Sequence, residues 1–226
     1  MRAILSFGYS HWRTVLTPRK RPRQQRSRET VAAILEAAAQ LFQRQGHAAT
    51  TTNQIAERAG VSIGSLYQYF PNKDALLVEL ADHHLNAAAE QIALVFTRAA
   101  EQRPALDRLL ADLVRCVAAL HTDRPDLHRL LFEEAPRTPE LVARFRQAER
   151  LIASALAGEL RRLGVGGPAP EMNALFAVQG IEAQVHGALL DPPAGTSVAD
   201  CLRAVLLLWE RALAEPYEHR RASSAP

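Results

Sequence analysis

The sequence lacks any apolar run long enough to cross a membrane. Its longest runs, such as residues 204–209, fall far short of the ~20 residues that a membrane-spanning helix needs. Residues 1–16 have neither the continuous apolar core nor the small-residue cleavage site of a signal peptide. We therefore expect a cytoplasmic protein with no membrane partner.

Cysteine is also scarce. The 226 residues include only two cysteines, Cys116 and Cys201, and both fall within strongly apolar helical patterns. An unpaired cysteine in such a setting behaves as a small hydrophobe, so a disulfide framework is not expected. Hydrophobic residues make up 48% of the chain, which is ordinary for a globular protein and argues against general disorder.

Positive charge is concentrated at the N-terminal end. Residues 1–80 hold 11 Lys or Arg against 5 Asp or Glu, a net charge of +6, whereas residues 81–226 hold 16 against 19, a net charge of −3. The basic residues cluster between Arg19 and Arg28, which suits DNA phosphate, although a solvated tail with no specific partner has the same composition. We expect residues 1–25 to form a basic, flexible N-terminal extension.

The spacing of apolar residues between glycine, proline and hydroxyl residues predicts about nine helices, and no alternating strand pattern appears. The first helix starts near Ser27 or Thr30 and ends at Gly46. The later ones are expected at 51–60, 62–70, 73–98, 104–121, 125–134, 138–163, 170–190 and 197–214. The predicted fold is therefore all-α. We divide it into an N-terminal three-helix helix-turn-helix domain (26–75), a C-terminal helical bundle (76–215) and a loose tail (216–226).

Residues 52–70 contain the parts of a helix-turn-helix, which needs a first helix that packs, a tight turn and a second helix with one face free for the major groove. Thr51 and Gln54 form a capping-box pattern at the start of the first helix. Gly60 accommodates the positive φ of the turn, and Ser62 is placed to cap the second helix. The apolar anchors are Ile55, Ala59, Val61, Leu66 and Phe70.

The opposite face of the second helix carries short polar side chains and hydroxyl-bearing aromatic ones. These groups can donate to phosphates and base edges, and small or apolar residues at the helix start allow a close approach to the groove. The candidate DNA-binding residues are Ser62, Ile63, Gly64, Ser65, Tyr67, Gln68 and Tyr69. Since only Phe70 is needed inside, both tyrosines are expected to face DNA.

A longer motif surrounds the helix-turn-helix. It consists of Ile34-Leu35-x-Ala37-Ala38, Leu41-Phe42-x-x-x-Gly46, Thr50-Thr51-Thr52-Asn53-Gln54-Ile55-Ala56, Gly60-Val61-Ser62 and Leu66-Tyr67-Gln68-Tyr69-Phe70-Pro71-Asn72-Lys73. This motif resembles the DNA-binding domain of the tetracycline-repressor (TetR) family over roughly residues 26–77. The resemblance implies a transcriptional regulator, most often a repressor, that binds a palindromic operator in double-stranded DNA as a homodimer and is released by a small-molecule inducer.

The resemblance also implies roles for individual residues. Thr51 or Thr52 and Lys73 would hold phosphates on either side of the groove, at helix N-termini that favour anions. Tyr67 and Tyr69 match positions that contact the DNA backbone, and the recognition face would consist of Ser62, Ile63, Ser65 and Gln68. An arm containing Arg21, Arg23 and Arg26 would enter the minor groove.

For the C-terminal helices the resemblance implies dimerisation and ligand binding. The family dimerises through its last two long helices, which fits a small-residue stripe and an apolar last helix; an ordinary intramolecular core would have the same pattern. The interface candidates are Gly180, Ala183, Gly187 and Trp209. A hydrophobic or aromatic effector would be bound by His84, Phe132, Phe176 and Gln179, for which plain core packing is the alternative.

No feature of the sequence requires catalysis or a cofactor. The chain has no phosphate-cradling glycine loop, nucleophile elbow or activated Cys-His signature. Its histidines lack the close spacing of metal ligands, so no metal is expected; those considered are His83, His84, His121, His128 and His186. The alternative is a helical enzyme or ligand-binding protein with a vestigial DNA-binding module.

Overall fold

The structure is a computed structural model that describes residues 25–123 and 125–217. Over these residues the chain forms nine α-helices and one isolated antiparallel bridge, between Val165 and Pro216. The helices are α1 (Gln25–Ala49), α2 (Thr52–Arg58), α3 (Ile63–Tyr69), α4 (Lys73–Gln102), α5 (Leu106–Thr122), α6 (Pro125–Glu134), α7 (Pro139–Leu163), α8 (Pro170–Leu190) and α9 (Val198–Leu213). The predicted all-α fold is confirmed. Among these helices, none combines the length and the apolar character that a membrane span requires.

Most helix starts follow local signals in the sequence. Helices α6, α7 and α8 begin at prolines, because the fixed φ and the missing N–H of proline suit a first turn. Several bounds differ from the prediction by one to four residues, and α1 runs to Ala49 although its backbone breaks at the predicted end, where Gly46 has φ +79°. Two starts or ends differ most. Helix α1 already begins at Gln25, and α4 continues to Gln102 because no breaker precedes Arg103, where φ reaches +50°.

The described residues divide into two compact units. The first unit contains the residues up to Asn86 and those from 125 to 142, so it holds α1, α2, α3, the start of α4 and all of α6. Phe42 and Phe70 are fully buried in its core, and Leu127, Leu130 and Leu131 of α6 belong to the same core. Because burying a leucine side chain contributes roughly 1.5–3 kcal/mol, α6 is an integral part of this unit.

The second unit contains residues 87–123 and those from 143 onwards. It holds α5, α8, α9 and the remaining parts of α4 and α7. Its core is mostly aliphatic and includes the fully buried Leu110, Leu156 and Leu160. The indole Nε1 of Trp209 donates to Gln184 Oε1 at 2.9 Å, which satisfies the polar edge of a large, partly buried ring.

The start of the C-terminal tail is held in place, contrary to the prediction that it is loose from residue 216. Pro216 pairs with Val165, and the backbone N–H of Tyr217 donates to Gly164 O at 2.9 Å. The N–H groups of Gly166 and Gly167 donate to Leu213 O and Glu215 O. The glycine-rich loop after α7 therefore holds the chain that follows α9.

Helices α8 and α9 are in close contact where Trp209 covers Gly180. A Cβ atom added to Gly180 would lie 2.2 Å from Trp209 Cζ2, far inside van der Waals contact. This contact is within one chain, so it explains the small size of Gly180 without a partner subunit. Gly187, two turns further along α8, has nothing within 4 Å of such a Cβ.

We expect Gly180→Ala to lower the free energy of unfolding by about 1–3 kcal/mol, because the rigid indole ring must move to admit the methyl group. Gly158→Ala in α7, where an added Cβ would meet nothing within 4 Å, is the matched control. This substitution should leave the free energy of unfolding unchanged or raise it by about 0.5–1 kcal/mol, since alanine is the better helix former. Thermal or denaturant unfolding at one fixed protein concentration measures both, and equal effects of the two substitutions would contradict the contact.

Candidate nucleic-acid interface

Helix α2 is fixed at its start by a reciprocal capping box. The Thr51 hydroxyl accepts from Gln54 N at 3.3 Å, and Gln54 Oε1 accepts from Thr51 N at 2.9 Å. Both bonds satisfy N–H groups that the first turn leaves without helical partners. At the other end of α2 the Arg58 guanidinium donates to the side chain of Gln40 on α1. At the start of α2, Gln45 Nε2 of α1 donates to Gln54 Oε1 at 3.2 Å, so α2 is bonded to α1 at both ends.

The turn between α2 and α3 has the geometry that its glycine predicts. Gly60 has φ +67°, a conformation that residues with a Cβ adopt at a cost, and Val61 N donates back to Ala56 O at 3.0 Å. The Ser62 hydroxyl then accepts from Ser65 N at 3.0 Å and caps α3. The predicted roles of Gly60 and Ser62 in the turn are confirmed.

Helix α3 presents one face to solvent. Leu66 and Phe70 are buried, whereas Ile63, Gly64, Tyr67 and Gln68 are exposed. A Cβ added to Gly64 would meet only Ser62 Oγ, at 3.8 Å, so no close packing inside the chain requires a glycine at this position. The exposed face is therefore free to approach the floor of a groove closely.

Tyr67 and Thr52 form a polar link between the two helices of the motif. The Tyr67 hydroxyl lies 3.0 Å from Thr52 Oγ1, and the tyrosine side chain remains 40% exposed. Sequence reasoning assigned both residues to the same interface but did not pair them. The pair holds two hydroxyl groups at the outer edge of the motif, where each retains hydrogen-bonding capacity for phosphate oxygens.

Tyr69 corrects the prediction that only Phe70 is needed inside. Its side chain is 7% exposed and belongs to the core of the first unit. Residues 69 and 70 follow each other at the end of α3, where Phe70 leaves the helix with extended backbone, so both rings can turn inwards. Tyr69 thus packs in the core beneath the recognition helix and does not face solvent as predicted.

Lys73 has a structural role that the sequence did not reveal. Its ammonium group donates to His47 O at 2.7 Å, Ala48 O at 3.1 Å and Thr50 O at 3.3 Å. An ammonium has three N–H donors, and all three are used. The predicted phosphate contact would require one of these bonds to be exchanged.

The residue before Lys73 caps the helix that Lys73 begins. Asn72 Oδ1 accepts from Ala75 N at 2.8 Å and caps the start of α4. An asparagine directly before a predicted helix start is a signal that sequence reasoning could have used.

The predicted arginine arm is only partly described. Arg26 lies in the first turn of α1 and is exposed, whereas Arg21 and Arg23 lie outside the described residues.

The candidate ligand-binding residues belong to different units. His84, in the first unit, has Nε2 3.0 Å from His128 Nδ1 of α6. Gln179, in the second, donates to Glu149 Oε2 at 3.3 Å. Phe176 is 53% exposed within the protomer, which does not fit the predicted enclosed position, and the side chain of Phe132 lies outside the described residues.

A capped, packed first helix, a glycine turn and an exposed second helix define a helix-turn-helix DNA-binding protein. Residues 34–80 match the family of bacterial regulatory proteins called the tetR family, and residues 105–207 match the tetracyclin repressor-like C-terminal domain. The chain belongs to the TetR family of bacterial regulatory proteins.

Individual relatives agree with this family. The probable HTH-type transcriptional regulator ArpR of Pseudomonas putida is 40% identical over 86 residues, which are 38% of this chain and 39% of ArpR. The HTH-type transcriptional repressor Rv3405c of Mycobacterium tuberculosis is 44% identical over 55 residues, 24% of this chain and 29% of the relative. The chain thus matches between a quarter and two fifths of the length of such curated relatives. Both relatives are named as transcriptional regulators.

The structural similarity to this family covers more of the chain than these sequence matches do. The structure of a tetR-family bacterial regulatory protein from Rhodococcus RHA1 aligns with a TM-score of 0.61 and 20% sequence identity, and the alignment covers 84% of this chain and 98% of that one. At this level of identity the likeness demonstrates a shared fold, including the C-terminal helices.

We expect Lys73→Ala to lower the free energy of unfolding by about 1–3 kcal/mol, because three carbonyl groups lose their cationic partner. Arg44→Ala removes an exposed cation from α1 and should change it by less than about 0.5 kcal/mol. Chemical denaturation followed by circular dichroism gives both values. If Lys73→Ala unfolds like the wild type yet binds DNA less tightly, the lysine is a phosphate contact and not a structural anchor.

Proposed function

We propose that the chain is a repressor that binds a palindromic operator as a homodimer and leaves it when a small molecule binds the C-terminal unit. The observation that carries this proposal is the solvent-exposed face of α3. Capping hydrogen bonds and the glycine turn fix the position of this helix, yet its outer face remains open to solvent. Two such helices in a dimer would enter successive major grooves about 34–36 Å apart.

The face of α3 divides into two kinds of DNA contact. Ile63, Gly64 and Gln68 are exposed and are proposed to contact base edges, with glutamine able to pair with adenine and an apolar side chain able to contact a thymine methyl group. Ser62 and Ser65 bond each other, with the hydroxyl groups 2.8 Å apart, and add a polar edge. Tyr67, Thr52 and the Thr51 end of α2 are proposed to contact phosphates. The arm at Arg21, Arg23 and Arg26 is proposed to enter the minor groove.

Dimerisation is proposed through the outer faces of α8 and α9. Exposed residues recur along α8 at helical spacing and are mostly apolar or small: Met172, Phe176, Gln179, Ala183 and Gly187. On α9, Leu207 and Leu208 are also exposed. Of the four predicted interface residues, Ala183 and Gly187 lie in this stripe. Gly180 and Trp209 contact each other within the chain, so their part in the interface would be indirect.

The effector would act through differential affinity, since a ligand shifts an equilibrium only when it binds one conformation more tightly than the other. We propose a small molecule of hydrophobic or aromatic character, in keeping with the apolar second unit. A regulator of this kind needs no catalytic residue, and no observation favours the alternative of an enzyme with a vestigial DNA-binding module.

DNA binding is tested with a palindrome selected from a pool of random duplexes. We expect Gln68→Ala and Tyr67→Phe each to weaken specific binding about tenfold, because a base or phosphate contact contributes roughly 1–3 kcal/mol and 1.4 kcal/mol is a factor of ten. Affinity should also fall as salt rises. Fluorescence anisotropy at two salt concentrations measures these effects.

Gln91→Ala is the matched control for Gln68→Ala, because Gln91 is an exposed glutamine on α4, outside the helix-turn-helix. It should bind the selected palindrome as the wild type does. The proposal is wrong if no duplex is selected, or if both α3 variants keep full affinity.

The dimer is tested by placing a charge on the outer face of α9. Leu208 is 50% exposed in the protomer, and we expect Leu208→Glu to convert the dimer to a monomer, because an unpaired carboxylate would be buried in the interface. Leu94→Glu, at a leucine of α4 that is 48% exposed, should leave the dimer intact. Light scattering after size-exclusion chromatography gives the molar mass and so distinguishes a dimer from a monomer. A monomeric wild type or a dimeric Leu208→Glu would contradict this interface.

A further inference from the structure

The recognition helix α3 and the turn before it carry only uncharged side chains. Between Arg58 and Lys73, residues 59–72 include no Lys, Arg, His, Asp or Glu. In the major groove guanine is most often bound by Arg or Lys, and cytosine donates to Asp or Glu. Helix α3 therefore lacks both kinds of charged side chain that select a G·C pair.

The exposed residues of α3 form two rows along the helix. Ile63 and Tyr67 lie one turn apart in the first row, and Gly64 and Gln68 lie one turn apart in the second. The Tyr67 hydroxyl lies 3.0 Å from Thr52 Oγ1, so the first row borders α2. The second row is displaced by about 100° around the helix axis, so the two rows face different parts of a groove.

Gln68 is the side chain of the second row that can reach a base. One turn earlier, a Cβ added to Gly64 would meet only Ser62 Oγ, at 3.8 Å. Because Gly64 has no side chain, the helix backbone can come close to the bases on this side, which brings the Gln68 amide to their edges. An amide offers an acceptor and donors side by side, and this pattern matches N7 and N6 of adenine.

Ile63 is the apolar member of the exposed face. Its side chain is 37% exposed at the start of α3, and an apolar group in the major groove contacts the methyl group of thymine. The hydroxyl groups of Ser62 and Ser65 lie 2.8 Å apart, and Ser62 Oγ also accepts from Ser65 N. These bonds cap α3, so the two serines have less hydrogen-bonding capacity left for bases.

We propose that α3 selects A·T base pairs, because Gln68 binds an adenine and Ile63 contacts a thymine methyl group. The inference rests on the proposed DNA-binding function and names the bases that this function requires in each half-site. At about 1.5 Å per residue, positions 63 and 68 are about 7.5 Å apart along the helix axis, whereas stacked bases are about 3.4 Å apart. The two side chains therefore contact two different A·T pairs.

The test starts from the palindrome that the wild type selects from a pool of random duplexes, with one base modified at a time in one half-site. 7-Deazaadenine lacks the N7 acceptor, and we expect it to weaken binding about fivefold at one adenine. Uracil lacks the methyl group of thymine and should weaken binding about threefold at one thymine. Fluorescence anisotropy at one fixed salt concentration measures both effects.

Each effect should depend on one side chain. Gln68→Ala should lose the response to 7-deazaadenine and keep the response to uracil, whereas Ile63→Ala should do the reverse. Both residues are exposed, so neither substitution removes core packing. Gln91→Ala and Leu94→Ala, at exposed positions of α4 outside the helix-turn-helix, are the matched controls and should keep both responses.

Three results would overturn the base preference. They are that every adenine of the selected half-site tolerates 7-deazaadenine, that every thymine tolerates uracil, or that the α3 variants keep the wild-type responses. In each case a duplex is still selected and bound, so the proposed DNA-binding function stands. Selection of no duplex would instead contradict the proposed function itself, and with it the base preference.

Discussion

The DNA-binding unit depends on one ammonium group. Lys73 donates to three carbonyl oxygens in residues 47–50, where α1 ends and the chain turns towards α2. Because Lys73 is the first residue of α4, the same bonds fix the relation between α1, α2 and α4, which enclose the core under α3. The exposed face of α3 has a defined direction only while this arrangement holds.

The core beneath the helix-turn-helix also draws on a distant part of the sequence. Leu127, Leu130 and Leu131 of α6 are buried with residues of α1, and His47 of α1 lies 3.1 Å from Asp74 and 3.9 Å from Glu134. Helix α6 belongs to the C-terminal family domain by sequence and to the first unit by packing. A stretch of the C-terminal family domain thus contributes three leucines to the core that supports α3.

Local signals in the sequence were enough to predict most of the helices. They were not enough to predict which side chains contact each other between helices. Thr51, Gly60, Ser62 and the prolines at 125, 139 and 170 act through their own backbone and the next turn, so a short window of sequence contains all the information needed. Tyr69 was misjudged because periodicity does not tell how many rings a core can hold. The contacts of Lys73 and Gly180 within the chain were missed because their partners lie 23–26 and 29 residues away in the sequence.

The two units use polar side chains in different ways. In the first, Thr51, Ser62, Asn72 and Lys73 lie at helix ends, where they satisfy backbone groups that would otherwise be left without partners. In the second, Glu182 and His186 lie well inside α8, where the helix already satisfies its own backbone, so capping cannot explain them. A buried histidine such as His186, which is 9% exposed, lowers the stability of the folded chain when it is charged, unless a partner compensates that charge.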